Sequence, residues 1–269
     1  MKIIGKVFNF LIFLFLYAPL FVMMFFSFNK SKSTSVFTGF SLKWYEEMFS
    51  NRDTMEALTN TLILALLSAV IATILGTLAA VGIYRMRSRW VRNVTMNVTN
   101  IPMMNPDIVT GVSLMLLFVF IGRLIGASES LNFFTLLIAH VTFNLPYVIL
   151  NVLPKLRQTD PHLMEAAEDL GCHPVRAFFE AVIPSIRPGI LSGFLMAFTL
   201  SIDDFVISYY TNGSSFQTLP LKIYSMTKKK VKPDMYALCT LIFVTILILL
   251  IIINIAQAKS EKNSQDSEF

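Results

Sequence analysis

The stretch Asp160–Pro188, which reads DPHLMEAAEDLGCHPVRAFFEAVIPSIRP, is a sizeable polar insert between two strongly apolar runs. Asp160 is a good N-cap, and Pro161 suits the first helical position because a backbone N–H at that position would be unpaired in any case. Gly171 follows where a helix commonly ends in a left-handed conformation. This order of residues predicts two short helices joined at a glycine.

Both predicted helices have apolar residues at i, i+3, i+4 and i+7, along one face of each helix. These residues are Leu163, Ala166, Ala167 and Leu170 in the first helix and Val175, Phe178, Phe179 and Val182 in the second. Pro174 begins the second helix, and we expect Pro184 to end it. We expect the apolar face to pack on the rest of the protein, which leaves the face with Glu165, Glu168 and Asp169 free for a partner.

The composition of the chain is that of a membrane protein. Of its 269 residues, 55% are hydrophobic and only 14% charged, and the mean hydropathy is +0.64. Much of the apolar surface is therefore expected to face lipid. The formal charge of +5 does not indicate nucleic-acid binding, since the sequence has no basic and aromatic cluster of that type. Cys172 and Cys239 fall on different sides or at different depths of a membrane, so we expect no disulfide. Neither has a CxxC partner, so we expect no metal site.

Six apolar runs approach or exceed the roughly 20 residues that a helix needs to cross a bilayer. We place them at about 7–28, 56–84, 97–121, 133–153, 186–210 and 235–256, with a polar loop at 155–185 between the fourth and the fifth. The first run lacks a small-residue cleavage site and is longer than the apolar part of a signal peptide, so we predict an uncleaved helix. The predicted fold class is an all-α integral membrane protein, a single transmembrane domain over residues 1–269.

The basic residues predict the orientation of this bundle. Arg85, Arg87, Arg89 and Arg92 make a short and strongly basic loop, and such loops stay on the cytoplasmic side. We therefore predict a multi-pass protein of the cell membrane with both termini in the cytoplasm. Five lysines between 222 and 232 fall on the outer side in this topology, as a solvated loop or as a surface for an acidic partner.

Two spans carry small residues at every fourth position, a pattern that permits close contact between helices. These residues are Ser68, Ala72, Gly76 and Ala80 in the second span and Gly189, Gly193 and Ala197 in the fifth. The third span is irregular, because asparagines and prolines interrupt it up to Asp107, and such backbone must line protein or a water-filled cavity. His140 and Asn144 in the fourth span are interpreted as interhelical hydrogen-bonding residues.

Three carboxylates fall within the predicted spans, at Asp107, Asp203 and Asp204. A carboxylate inside a membrane costs about 2.5–3.5 kcal/mol on insertion scales and so usually marks a substrate or ion path. Tyr209 and Tyr210 lie one to two turns further on and offer ring faces to a cation. A negatively charged path suits a cationic cargo. In the alternative interpretation, Asp107 caps its helix and the other two carboxylates lie at the wet outer rim.

The sequence contains no motif for catalysis. We find no GxxxxGK[ST] phosphate loop, no HExxH motif and no paired cysteine and histidine ligands. The chain is therefore predicted not to be an enzyme and to bind no cofactor of its own. If ATP drives transport, a partner chain binds the ATP and its magnesium.

The segment Glu165-Ala166-Ala167, followed after three residues by Gly171 and later by Ile183-Pro184, resembles the EAA loop of ABC importer permeases. The resemblance implies that the loop is a cytoplasmic coupling helix that docks into a groove of the ATP-hydrolysing subunit. The implied coupling residues are Glu165, Ala166, Ala167, Glu168, Gly171 and Pro184. The family usually closes the motif with Ile-x-Leu-Pro, whereas this chain has Ala181-Val182-Ile183-Pro184. On spacing alone, a helix pair lying in the membrane interface is the alternative.

Three further segments resemble the spermidine/putrescine importer permeases, and they are Asn105–Val109, Ser201–Phe205 and Leu219–Met226. The similarity extends from the first span to the last and favours the second permease of that importer. It implies a type I ABC importer permease that works by alternating access. The implied partners are a related permease, two copies of an ATP-binding subunit and an extracytoplasmic polyamine-binding protein. It also makes Asp107, Asp203 and Asp204 candidates for the polyamine path.

Other functions fit parts of the pattern. An ABC importer for another small solute, such as a metal complex, a phosphonate or thiamine, would share the architecture. A secondary transporter driven by an ion gradient would need no ATPase and would contain inverted repeats. A membrane anchor or receptor that transports nothing would leave the carboxylates within the spans unexplained.

Overall fold

The computed structural model describes residues 2–31, 36–213, 216–228, 234–248 and 251. Its helices are α1 (Lys2–Ser27), α2 (Lys43–Ser50), α3 (Arg52–Arg85), α4 (Arg89–Met104), α5 (Asp107–Leu124), α6 (Phe133–Gln158), α7 (Leu163–Asp169), α8 (Pro174–Ala177), α9 (Ile183–Asp203), α10 (Val206–Thr211), α11 (Leu219–Thr227) and α12 (Asp234–Ile248). A π-helical turn, Phe178–Val182, joins α8 to α9. Five described helices are long and apolar enough to cross a membrane, namely Gly5–Ser27, α3, α5, α6 and Pro174–Asp203.

The chain divides into two compact units. One contains Met1–Ala57 and Lys222–Leu250, and the other contains Leu58–Leu221 and Ile251–Phe269, as far as these residues are described. The predicted sixth span, 235–256, lies partly outside the described residues, and α12 covers its first part.

In the first unit, the chain after α1 is fixed by hydrogen bonds to Asn29. Its side chain donates to the Val36 carbonyl at 2.8 Å and accepts from the Thr38 N–H at 2.9 Å. The indole N–H of Trp44 donates to the Asn29 carbonyl oxygen at 2.6 Å, and this tryptophan is buried. Trp44 is thus part of the core of its own unit.

The second unit is built around α6, which packs along α9. Val148 of α6 is completely buried and contacts Gly76 of α3 and Gly193 of α9. A Cβ added to Gly76 would lie 2.7 Å from the Val148 Cγ1 atom, and one added to Gly193 would lie 3.2 Å from it. At Gly189, a Cβ would lie 2.8 Å from the Asn151 carbonyl oxygen. The predicted small-residue seams are therefore the surfaces through which α3 and α9 approach α6.

The predicted third span, 97–121, is two helices rather than one. Asn105 and Pro106 separate α4 from α5, and both have extended ψ angles, of 139° and 134°. The residue before a proline is disfavoured in the helical region, which explains where α4 ends. Across the break, the Asn105 side chain donates to the Thr110 hydroxyl at 3.1 Å. Only α5 is long and apolar enough to span, and none of the residues of α4, all of which are described, is buried.

The predicted fifth span, 186–210, is also interrupted. Its first helix, α9, ends one residue before Asp204, whose backbone is extended. The Asp204 carboxylate accepts hydrogen bonds from the backbone N–H groups of Ile207, at 3.1 Å, and Ser208, at 2.7 Å. A carboxylate that satisfies the first N–H groups of a new helix favours the break over continuation of the old one.

The prediction that Pro184 ends the second loop helix is wrong. The helix continues from Pro174 to Asp203 through the π turn, in which the Ile183 N–H donates to the Phe178 carbonyl five residues earlier. In an α-helix, a proline donates no hydrogen bond and its ring clashes with the carbonyl four residues before it. The shift of hydrogen-bond register immediately before Pro184 relieves that clash, so the helix passes the proline.

The first loop helix, α7, begins at Leu163, three residues after the predicted N-cap. Residues 160–162 form a turn in which the Asp160 carboxylate accepts the His162 N–H at 2.9 Å. The helix ends at Asp169, and Gly171 follows it in the predicted left-handed conformation, with a φ of +89°. The two-helix arrangement is therefore confirmed, with a later start.

The apolar face of α7 does not pack fully on the rest of the chain, contrary to the prediction. Leu163 and Ala167 are half-buried, whereas Ala166 is exposed and Leu170 is 88% exposed. A seven-residue helix has only two turns, and it contacts mainly α8 and the π turn. The remaining apolar surface of α7 is exposed.

Candidate functional site

The segment 155–185 presents a mixed acidic and apolar surface, which we call the loop surface. Glu165, with its side chain 74% exposed, and Glu168 supply the acidic part. Leu170 and Phe179 supply the apolar part, with 88% and 62% of their surface exposed. Exposed apolar side chains bordered by charged ones mark surfaces that contact another protein or the membrane interface.

Gly171 fixes the angle between the two helices of the loop surface. Its N–H donates to the Glu168 carbonyl at 2.8 Å, and the Cys172 N–H donates to the Ala167 carbonyl at 3.1 Å. These two bonds are the Schellman pattern of helix termination, which requires a left-handed residue at the glycine position. No heavy atom lies within 4 Å of a Cβ built there, so the requirement is one of backbone conformation rather than of space.

An exposed ion pair lies at the start of α7. The His162 Nδ1 atom is 2.9 Å from the Glu165 carboxylate. This hydrogen bond, together with the negative charges of Glu165 and Asp160, raises the pKa of His162 above its ordinary value of 6.5. The charge on the loop surface therefore depends on pH near neutrality.

The loop surface lies beside the end of α3, and the two together line a cleft of about 410 Å³. The lining includes Tyr84, Arg85 and Glu168. Across this cleft the Arg85 guanidinium donates to the Met164 sulfur at 2.7 Å. Of the predicted coupling residues, five lie on or next to α7, whereas Pro184 lies inside the span as part of α9. The structure does not bring Pro184 to the exposed surface, since its side chain is half-buried.

Asp204 is held by the protein itself. Its side chain is only 7% exposed and lies 3.5 Å from the Nε2 atom of the fully buried His140, in addition to the two backbone N–H groups that it caps. Asp203 is the last residue of α9 and is exposed. The two adjacent carboxylates therefore have different environments, and only Asp203 is available to a passing ligand.

Asp107 and the tyrosine pair lie on two helices that pack together, α5 and α10. Asp107 is exposed at the first turn of α5. One turn further along, a Cβ added to Gly111 would lie 3.0 Å from the ring of Tyr210, so the glycine admits this tyrosine. Tyr209 is 47% exposed, and its ring centroid lies 5.3 Å from that of Tyr210. The exposed carboxylate at the start of α5 therefore lies on a helix that packs against the helix with the two tyrosine rings.

Tyr147 of α6 was not singled out from the sequence. Its hydroxyl lies within electrostatic range of Asp107, and its ring centroid is 5.6 Å from that of Phe143. Phe143 and Tyr147 are four residues apart on α6 and so lie on the same face of the helix. This spacing could have identified the aromatic pair from the sequence. The candidate path thus has an aromatic contribution from α6 as well as from α10.

His140 and Asn144 are interhelical hydrogen-bonding residues, as predicted. The Asn144 amide donates to the Ser201 hydroxyl at 2.7 Å, and the His140 ring is 3.0 Å from the Ser208 hydroxyl. Ser201 also lies 2.9 Å from the Ser68 hydroxyl. These buried polar contacts connect α6 with α3, α9 and α10.

The sequence matches a family model and curated relatives along most of its length. The model, described as the inner membrane component of binding-protein-dependent transport systems, matches residues 72–262. The spermidine/putrescine transport system permease protein PotC of Haemophilus influenzae is 38% identical, over 94% of this chain and 96% of the relative. The putrescine transport system permease protein PotI of Escherichia coli K12 is 40% identical, over 93% of this chain and 89% of the relative.

The fold is similar to solved structures of transporters. A chain of a bacterial ABC transporter involved in the import of the acidic polysaccharide alginate superimposes with a TM-score of 0.73, covering 96% of this chain and 95% of the other at 13% identity. A second structure of a bacterial alginate ABC transporter, in complex with alginate pentasaccharide-bound periplasmic protein, gives a TM-score of 0.69 at 15% identity. At this identity the similarity concerns the fold alone.

Proposed function

Because this chain belongs to the family of inner membrane components of binding-protein-dependent transport systems, we propose that it is the permease subunit of an ATP-driven importer of polyamines. In this proposal it translocates spermidine or putrescine into the cytoplasm. The observation that carries the cargo assignment is the 37–40% identity, over 93–95% of this chain, to permeases named for spermidine and putrescine transport.

The chemistry of the candidate path supports a cationic cargo. Asp107 and Asp203 are exposed carboxylates. Tyr147 lies within electrostatic range of Asp107, and Tyr209 and Tyr210 lie on α10, which packs against the helix that begins at Asp107. A polyamine carries ammonium groups, which pair with carboxylates and bind over aromatic rings. Asp204 contributes indirectly in this proposal, because it holds the helix break that positions α10.

The loop surface is the proposed point of attachment for the motor. A partner ATPase would bind ATP and magnesium, and closure of its two copies would push on Glu165, Leu170 and the neighbouring side chains. The continuous helix Pro174–Asp203 would carry that displacement from the loop surface into the membrane. The substrate path would then open alternately to the outside and to the cytoplasm. The loop and both termini are cytoplasmic in this arrangement.

The uncovered apolar surface supports a second permease. Within this chain, only 6% of the apolar stretch of Gly5–Ser27 is buried, and the corresponding shares are 17% for α5 and 22% for Pro174–Asp203. Lipid covers part of such a surface, but the exposed Asp107 on α5 needs a polar neighbourhood. A related permease packed against α5 would enclose the path, and an extracytoplasmic binding protein would deliver the polyamine to it.

Uptake into proteoliposomes tests the proposal. The chain would be reconstituted with its ATPase, second permease and binding protein, and uptake of labelled spermidine would be measured with and without ATP inside the vesicles. We expect uptake that requires ATP and that unlabelled putrescine inhibits. ATP-dependent uptake of a phosphonate, thiamine or a metal complex, with no inhibition by polyamines, would transfer the proposal to another solute. Uptake driven by an ion gradient without ATP would overturn it.

A further inference from the structure

An apolar groove runs along the flank of the second unit, between α3 and α9. Its volume is about 510 Å³, and Val70, Ile74, Leu191 and Phe194 line most of it. Val70, Ile74 and Leu191 are 40–56% exposed, so the groove opens toward the surroundings of the span rather than into the core. These surroundings are the hydrocarbon of the bilayer if α3 and α9 cross it.

A single cation, Arg187, lies at one end of this groove. It is exposed, and within the part of the chain that the structure describes no carboxylate lies within 4 Å of its guanidinium. Arg187 is also near the beginning of α9, where the helix emerges from the loop surface. The groove therefore has a charged end toward the loop side of the membrane and an apolar end toward its centre.

We propose that this groove is a binding site for an anionic phospholipid of the leaflet on the loop side. The guanidinium of Arg187 binds the phosphate, for which its planar donors are suited, and one acyl chain lies between α3 and α9. Arg187 and Phe194 are seven residues apart, which is about 10 Å along a helix. This length accommodates most of an acyl chain, since one leaflet of the hydrocarbon core is about 15 Å thick.

The charge pattern favours a lipid over a helix of the second permease. A transmembrane helix seated in the groove would bury the guanidinium in an apolar contact, and it would have to supply a carboxylate at this depth. An anionic phospholipid supplies the phosphate and the apolar chain in one molecule. Basic pockets between spans on the cytoplasmic side bind lipid headgroups in this way.

Native mass spectrometry of the full-length chain tests this site. The protein would be exchanged into phosphatidylglycerol or phosphatidylcholine with the same acyl chains, and retained lipid would be counted. We expect one phosphatidylglycerol to be retained in preference to phosphatidylcholine. Arg187→Gln should lower this preference by roughly fivefold, the effect of one basic residue at an anionic surface. Inorganic phosphate should not displace the lipid, because it lacks the acyl chain.

Two matched controls make the test specific. Arg87→Gln removes an exposed arginine just after the C-terminal end of α3, outside the groove. It should leave the preference for phosphatidylglycerol unchanged. Leu191→Trp fills the groove and should reduce retention of both lipids, whereas Leu78→Trp, at an exposed position of α3 outside the groove, should not.

Three results would overturn the proposal. The first is equal loss in Arg187→Gln and Arg87→Gln, which would mean a general basic surface. The second is unchanged retention in both Arg187→Gln and Leu191→Trp. The third is a cross-link from Leu191→Cys to the second permease in the assembled complex, with the lipid displaced, which would make a protein helix the occupant.

Discussion

At the residue scale, the adjacent carboxylates Asp203 and Asp204 have separate tasks. Asp204 is nearly buried, caps α10 and faces His140, whereas Asp203 is exposed. We expect Asp204→Asn to lower stability by about 1–3 kcal/mol, since it weakens a helix cap and a buried pair. Asp203→Asn should keep the thermal midpoint and slow polyamine uptake. Thermal unfolding and uptake of the two variants, measured side by side, check this, and equal midpoints would contradict it.

His162 provides a second prediction at this scale. Its pKa is raised mainly by the hydrogen bond to Glu165, so the protonated pair stabilises the start of α7 fully below the ordinary pKa of 6.5. That contribution is lost as the pH rises through the raised pKa. We expect Glu165→Gln to lower the pKa of His162 more than Asp160→Asn does, as measured by NMR titration of the ring. A pKa of His162 that neither substitution changes would exclude the pair in solution.

Sequence reasoning identified the titratable residues but not their neighbours. Asp107, Asp203 and Asp204 were singled out because carboxylates are costly in a membrane. Which of them is satisfied by protein depends on His140, more than 60 positions away from Asp204 in the chain. The i, i+4 spacing of Phe143 and Tyr147 was visible, but their place beside α5 depends on helix packing.

At the element scale, Gly171 determines how the loop surface is presented. An alanine in its left-handed conformation costs about 1–2 kcal/mol, and asparagine costs less. We expect Gly171→Ala to leave membrane insertion intact and to reduce uptake while ATP hydrolysis continues. Gly171→Asn should retain more uptake than the alanine variant. Uptake per ATP hydrolysed, measured for both variants, is the test, and normal coupling in Gly171→Ala would contradict the assigned role.

The contact of α3 with α6 gives a compensation experiment. A Cβ at Gly76 would lie 2.7 Å from Val148, so Gly76→Ala should overpack the core by about 1–3 kcal/mol. Val148→Ala removes the Cγ1 atom but keeps the Cβ, which would lie 2.8 Å from the added Cβ, so it should restore only part of the loss in the double variant. Gly82→Ala on the same helix is the control, because its Cβ would meet no atom within 4 Å. Additive losses in the double variant would contradict the contact.

Those features of the helices that depend only on the spacing of residue types could be predicted from the sequence. The small-residue seams and the glycine in the loop are in the structure as predicted. The π turn before Pro184 was not predictable, because proline normally ends a helix and the compensating shift in register is not encoded in a residue type. The break at Asp204 likewise needed the actual hydrogen bonds, whereas the asparagines and prolines before Asp107 already indicated the interruption of the third span.

At the scale of the whole molecule, the apolar surface exceeds what this chain can bury. Composition and span length predicted a helical membrane protein. The prediction is possible because the thickness of the bilayer sets the length of each span and its hydrocarbon requires apolar side chains and internally hydrogen-bonded backbone. They carry no information on which exposed helices face lipid and which face another subunit. Leu170 illustrates this, since its apolar side chain was predicted to pack on the rest of the protein and is 88% exposed instead.

The orientation of the whole chain can be tested with its own cysteines. Cys172 is a free, half-buried thiol directly after Gly171, and Cys239 lies in α12. If the loop surface is cytoplasmic, a membrane-impermeant maleimide should label Cys172 in inside-out vesicles and not in intact cells. Cys172→Ser should remove this labelling, and bound ATPase should slow it, because the proposed docking site includes the neighbouring Leu170. Labelling from outside the cell would reverse the topology and exclude an intracellular motor at this surface.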